Sequence, residues 1–183
     1  MRKLLVIVLV AVVLAIGAVP AYAALSESLS SDGPTSVDGT SATAVFEVGD
    51  RRIREVRYVD RATLTYSFTL VNDGRLPLTV EGLAPLPRKP TLLAYQKLED
   101  ANGDAEFTIG VGDRTVVRLS MLMTACERLS ARAGSFATEV RLRISRLGVI
   151  DKVVKVELPE EIHTGSAREA LCPRSTSESR PPG

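Results

Sequence analysis

Strict alternation of apolar and hydroxyl-bearing residues restricts this chain more than any other feature. Between Ala62 and Asn72, Ala62, Leu64, Tyr66, Phe68 and Leu70 alternate with Thr63, Thr65, Ser67 and Thr69. Successive side chains of a strand point to opposite faces, so this pattern makes one apolar face and one wet face. A helix would scatter the same residues around its circumference. The pattern recurs along the chain. Leu76, Leu78 and Val80 resume it with Pro77 on the opposite face, and Val117, Leu119, Met121 and Met123 alternate with Arg118, Ser120 and Leu122. Phe136, Thr138, Val140, Leu142 and Ile144 are expected to face one way, with Glu139, Arg141, Arg143 and Ser145 facing the other. Past a turn at Gly148, Ile150, Val154, Val156 and Leu158 return on the apolar face, and Pro159 is expected to stop pairing. Ala42, Ala44, Phe46 and Val48 form a shorter strand of the same kind. Asn72-Asp73-Gly74 and Asn102-Gly103 read as hairpin turns, because these residues tolerate positive φ. Thr91–Leu98 reads as a further strand, and helix signals are confined to Met123–Arg132 and a capping box at Ser166-Ala167-Arg168-Glu169. Short strands with turn signals at short spacing predict an all-β, antiparallel sandwich or barrel.

The apolar content divides into two parts with different jobs. The chain has 183 residues, 45% of them hydrophobic, and 19 of those hydrophobic residues fall within residues 1–23. There Arg2 and Lys3 precede an uncharged apolar run from Leu4 to Val19, Pro20 breaks it, and Ala21-Tyr22-Ala23 offers small residues to a signal peptidase. Residues 1–23 therefore read as a signal peptide or, uncleaved, as a hydrophobic anchor helix. Either reading places the remainder outside the cytoplasm, secreted or held at the plasma membrane by this segment alone. Residues 24–41, rich in Ser, Gly, Asp and Thr, are expected to be a flexible linker, and residues 173–183 a disordered tail. Residues 42–172 are expected to hold the domain.

Loss of Arg2 and Lys3 leaves 21 basic residues against 22 acidic ones, a net charge of −1. Such a balance gives no electrostatic reason to bind nucleic acid. Cys126 and Cys172 are an even count in an exported chain, which points to a disulfide rather than to free thiols. Closing a loop of about 46 residues would contribute about 4 kcal/mol in the chain-entropy account.

The blocks Tyr66-Ser67-Phe68-Thr69-Leu70-Val71-Asn72-Asp73-Gly74 with Leu76-Pro77-Leu78-Thr79-Val80, and Phe107-Thr108-Ile109-Gly110-Val111-Gly112-Asp113 with Val116-Val117-Arg118-Leu119, carry a resemblance. In them the chain resembles the immunoglobulin-like modules of exported bacterial proteins of the actinobacterial type, over about residues 42–158. The resemblance implies an immunoglobulin-like β-sandwich serving adhesion, assembly or ligand presentation, and transfers no catalytic residue. The chain has no tryptophan, so it departs from the antibody-type pattern of a buried tryptophan against an inter-sheet disulfide.

Candidate chemistry is sparse. The single histidine, His163, lies beside Glu160 and Glu161, but nothing close in sequence completes a metal shell, and the segment reads as a solvated linker after the last strand. Glu99–Glu106 is acidic enough for calcium, yet Gly103 arrives too early for an EF-hand loop, so a turn is expected. Met121 and Met123 share a strand face as a soft copper site would, without a histidine partner, and read as core. There is no nucleophile elbow, P-loop or dinucleotide fingerprint. Surface candidates are arginines: Arg51, Arg52, Arg54, Arg57 and Arg61 in one segment, interleaved with Asp50, Glu55 and Asp60, and Arg141 and Arg143 on an outward strand face. Arginine suits phosphate or carboxylate recognition, but a salt-bridged solvated face is the plainer expectation. The leading expectation is a non-catalytic module that binds a protein or envelope component, with no cofactor and no metal. A carboxylate-based hydrolase and a calcium- or copper-handling protein are the alternatives.

Overall fold

The computed structural model describes residues 29–86, 92–124, 135–146, 148 and 150–164. The export segment, Cys126, Cys172, the capping box and the tail lie outside the described residues. Ten strands follow one another: β1 (Leu29–Asp38), β2 (Thr43–Val48), β3 (Arg51–Val56), β4 (Thr63–Asn72), β5 (Leu78–Leu83), β6 (Leu93–Asp100), β7 (Phe107–Ile109), β8 (Arg114–Met123), β9 (Ser135–Arg146) and β10 (Ile150–Thr164). They form a four-stranded sheet in the order β1-β4-β8-β6 and a six-stranded sheet in the order β2-β3-β10-β9-β5-β7. The chain is all-β over the described residues, and none of them forms a helix.

Alternation becomes burial where one sheet faces the other. Leu64, Tyr66, Phe68 and Leu70 of β4 and Val117, Leu119, Met121 and Met123 of β8 are buried together with Val140, Leu142 and Ile144 of β9 and Val156 of β10. One apolar core thus joins both sheets. Each such side chain contributes about 1.5–3 kcal/mol relative to an exposed one.

Five features depart from the sequence reading. β1 occupies most of the segment expected as a linker, pairing antiparallel with β4 from Leu29↔Asn72 to Asp38↔Thr65. Its inward positions are Leu29, Ser31, Gly33, Thr35 and Val37, so only its ends are apolar and its alternation does not show. β3 is a strand made of RRIREV, whose arginines hide it in the same way. β10 does not stop at Pro159. It bulges, with four residues from Leu158 to Glu161 opposite Thr138 alone, and then pairs again through Ile162, His163 and Thr164. A bulge is one of the few places in a sheet that accept proline. Beyond it β10 runs parallel to β3, from Glu161↔Ile53 to Thr164↔Val56, so the six-stranded sheet is mixed and not purely antiparallel. The bulge also slips the phase of β9: Ala137 and Val140 are buried, while Phe136 and Thr138, expected inward, are exposed.

The expected hairpin turns are instead corners between sheets. β4 and β5 belong to different sheets, as do β6 and β7, and β7 and β8. Asn72 ties one of these corners together. Its buried Nδ2 donates to the carbonyls of Leu76 (2.9 Å), Ile109 (3.0 Å) and Gly110 (3.0 Å), and its Oδ1 accepts from the Gly74 N–H (3.0 Å). Its backbone N–H donates to the Asp113 carbonyl and its carbonyl accepts from the Gly112 N–H. Gly39, between β1 and β2, has φ +82°, and an added Cβ would lie 2.0 Å from the Thr63 carbonyl oxygen, so only glycine fits.

Candidate functional site

The parallel register of β3 and β10 brings the arginine-rich segment against the acidic segment more than a hundred residues later. Because strand side chains alternate, the two carboxylates separate. Glu160 turns inward and is 1% exposed, whereas Glu161 turns outward. Arg54 grips the Glu160 carboxylate with Nε (2.5 Å) and Nη2 (3.1 Å), and its Nη2 also donates to Thr35 Oγ1 on β1 (3.1 Å). Arg52 Nε reaches the same carboxylate at 3.1 Å. On the opposite face Arg51 forms a two-pronged pair with Glu161, Nε donating to Oε1 at 2.6 Å and Nη2 to Oε2. The Arg51 guanidinium holds the Glu161 carboxyl below its usual range. Tyr66, buried on β4, has its hydroxyl pKa pushed up, first by burial and then by the Glu160 charge.

The seven arginines named from sequence do not make one surface. Arg51, Arg52 and Arg54 converge on Glu160 and Glu161. Their carboxylate partners thus come from β10 and not from the neighbouring stretch of sequence. Arg57 is exposed at the far end of β3, where its N–H donates to the Ala42 carbonyl and its carbonyl accepts from Thr40 Oγ1. Arg61 sits in a turn at φ 60°, its side chain largely exposed and 3.6 Å from Asp60. Arg141 and Arg143 lie on β9, opposite Lys155 and Val153 of β10. Arg141 lines a groove of ≈ 710 Å³ with Leu29, Ser30, Asp73 and Lys155.

A second cleft of ≈ 460 Å³ opens at the β10 bulge, lined by Arg51, Arg52, Lys155, Glu139, Glu157 and Glu161 among others. Most of its charges pair with one another. Lys155 lies 3.0 Å from Glu139 and 3.4 Å from Glu157, which raises its pKa.

His163 does not join Glu160 and Glu161 in a ligand set. Glu160 points the other way, and the imidazole stacks on Phe136 with ring centroids 4.4 Å apart. The segment read as a solvated linker is thus a paired strand, half of it buried. In the acidic loop, the Asp100 carboxylate accepts from the N–H groups of Asn102 (2.8 Å) and Asp104 (2.9 Å) and from Asn102 Nδ2 (3.0 Å). These bonds, led by that of Asp104, pull its pKa down. Met121 and Met123 are fully buried, and the Val59 N–H points at the Met123 sulfur (3.3 Å).

Sequence reasoning missed the outer face of the β2–β3 hairpin. Phe46 (50% exposed) and Val48 (56%) of β2 flank the half-buried Ile53 of β3. His163 and the exposed Phe136 continue this face across β10 and β9. All six residues of β2 are exposed, because the four-stranded sheet does not extend over the hairpin. The alternation of Ala44, Phe46 and Val48 is visible in the sequence. What it packs against is not.

No family model and no curated protein matches this chain. Among solved structures, one described as the X-ray structure of Northeast Structural Genomics Consortium target SoR45 is similar over 78% of this chain and 89% of its own, with 11% identity and a TM-score of 0.35.

Proposed function

We propose that the chain is a non-catalytic extracytoplasmic module, an immunoglobulin-like β-sandwich exported by residues 1–23, that binds a protein or envelope component. The observation that carries this reading is the contrast between its charged and apolar surfaces. The charged clusters neutralise themselves, Glu160 and Glu161 against three arginines and Lys155 between two glutamates. On the sheet face that also carries the Arg51–Glu161 pair, Phe46, Val48 and Phe136 stay open to solvent around the half-buried Ile53, as apolar residues of binding faces do. Carboxylate hydrolysis asks for an acid with a raised pKa. In the charged cleft Arg51 moves Glu161 the other way. The Asp100 bonds favour a structural turn over a calcium loop, and burial of Met121 and Met123 favours core over copper. Cys126 and Cys172 are proposed to form a disulfide, for which thiol titration of the unfolded, unreduced chain should find no free thiol; two free thiols would remove it.

The test of the binding reading is site-specific photocrosslinking in the native envelope. A benzoylphenylalanine at position 46 should capture a discrete partner, and one at the exposed Val116 of β8 should not. Equal capture at both, or at neither, would contradict the reading.

A further inference from the structure

Most open strand edges among the described residues carry a device that discourages pairing. β1 bulges between Asp32 and Ser36, around Pro34, which has no N–H to offer. β6 bulges between Tyr95 and Lys97 and carries that lysine on its edge. β7 is three residues long. The half of β10 that runs past the end of β3 carries Lys152 and Lys155 and has its Glu157 carbonyl occupied by Ser31 Oγ of β1 (2.5 Å). Bulges, prolines, lysines and shortness are how native sheets keep their edges from pairing. β2 has a single charged side chain, Glu47, and no bulge. It pairs with β3 in unbroken register from Thr43↔Val56 to Val48↔Arg51, with no proline and no lysine, and no described strand covers its outer side.

From this contrast we infer that β2 is a pairing edge and that its occupant is the β2 strand of a second copy, joined antiparallel about a two-fold axis. The inference rests on the binding reading above and names the partner. In the β2–β3 hairpin the pairs alternate between bonded and non-bonded, and the bonded set includes Val48 beside the two-residue Gly49-Asp50 turn. The Arg57 N–H bond to the Ala42 carbonyl fixes the same phase at the other end. Residues 42, 44, 46 and 48 thus bond inward to β3, and Thr43, Val45 and Glu47 aim N–H and C=O groups outward.

One register satisfies all three outward residues within the strand. Val45 meets Val45 of the second copy on the axis, and Thr43 meets Glu47 in both directions. About six backbone hydrogen bonds form, each Phe46 packs against Ala44 of the other copy, and hydroxyl faces carboxylate. A shift one way by two residues sets Val45 against Glu47. A further shift opposes Glu47 to Glu47, a like-charge pair that destabilises the ladder. A heterologous strand has no such built-in match. The product is an isologous dimer in which two six-stranded sheets become one continuous sheet.

Position 45 tests this without disturbing the hairpin, because its N–H is not used within the chain. Directly opposed residues of a bonded antiparallel pair have Cα atoms about 5.5 Å apart, within disulfide reach. The full-length chain should sediment as a dimer at micromolar concentration. Val45→Cys should add a disulfide between the two copies at position 45, identified by peptide mapping, and Val45→Pro should be monomeric, with the wild-type unfolding midpoint when both are measured too dilute to associate. A wild-type chain that stays monomeric, or a Val45→Pro variant that still dimerises, would overturn the second copy as occupant. In that event, capture of a different polypeptide at position 46 in the envelope would leave the binding reading standing. Absence of any capture there would remove both.

Discussion

Strands β2 and β4 are written in the same alternating code and meet opposite fates. In β4, Leu64, Tyr66, Phe68 and Leu70 are sealed between the two sheets, whereas in β2 Phe46 and Val48 remain half exposed. The difference lies in what stands opposite. β4 is an inner strand of the four-stranded sheet with the six-stranded sheet across from it. β2 is the last strand of the larger sheet, with nothing described over either face. Alternation therefore specifies a strand with two unlike faces, and burial is a property of the neighbouring layer.

Substitution of apolar residues should expose this contrast most strongly. Phe68→Ala is expected to cost about 3–5 kcal/mol in denaturant unfolding, the usual loss for a buried phenylalanine. A cost below about 1 kcal/mol would mean that β4 is not core.

The same contrast operates within one strand pair. Arg54–Glu160 and Arg51–Glu161 are both two-pronged and both join β3 to β10, but the first faces inward and the second faces water. Glu160→Gln leaves Arg54 and Arg52 sharing no anion and should cost about 3 kcal/mol, as for a buried pair that loses one partner. Arg51→Ala should leave the unfolding midpoint at neutral pH nearly unchanged, because solvent screens the exposed pair. Equal losses measured by urea unfolding would contradict the assignment of faces.

Asn72 tests the corner in place of the layers. Asn72→Ala removes the donor shared by three carbonyls and should cost about 2 kcal/mol, with the turn between β7 and β8 losing amide protection first.

Part of the response to acid should come through three carboxylates. Asp32 and Asp100, ordinarily near 3.8, and Glu161, ordinarily near 4.5, all ionise more readily in the folded chain, held by Arg114, by the Asp104 N–H and by Arg51 respectively. Their stabilising contribution is complete above those ordinary values and is lost as pH falls through the lower folded ones. Thermal midpoints should therefore be level above about pH 5 and fall below about pH 4. The Arg51→Ala chain should show nearly the same fall, because solvent screens the exposed pair at neutral pH as well.

How much of this is legible in the sequence follows from where each signal lies. β4, β5 and β8 can be read because their inward positions are apolar and stay in phase along the strand. β1 and β3 cannot, because serine, glycine, threonine and arginine occupy inward positions, and their neutralising or covering partners lie far away in sequence. Arg54 and Glu160 are 106 residues apart. The phase of β9 departs from its pattern at Phe136 because the cause is a bulge in the adjoining strand β10. Asn72-Asp73-Gly74 announces a turn correctly, but not that the chain changes sheets there. The arginines stand out as candidates. Their division into an inward and an outward set needs the parallel register of β3 and β10.

The most direct test of the account is the unfolding free energy of Phe46→Ala, measured below micromolar concentration so that association does not contribute. The account predicts a value within about 0.5 kcal/mol of wild type, as for a surface position, with loss of crosslinking at this edge. A loss of about 3 kcal/mol or more, the signature of a core phenylalanine, would show that β2 is buried in the working molecule and would contradict its role as a binding edge.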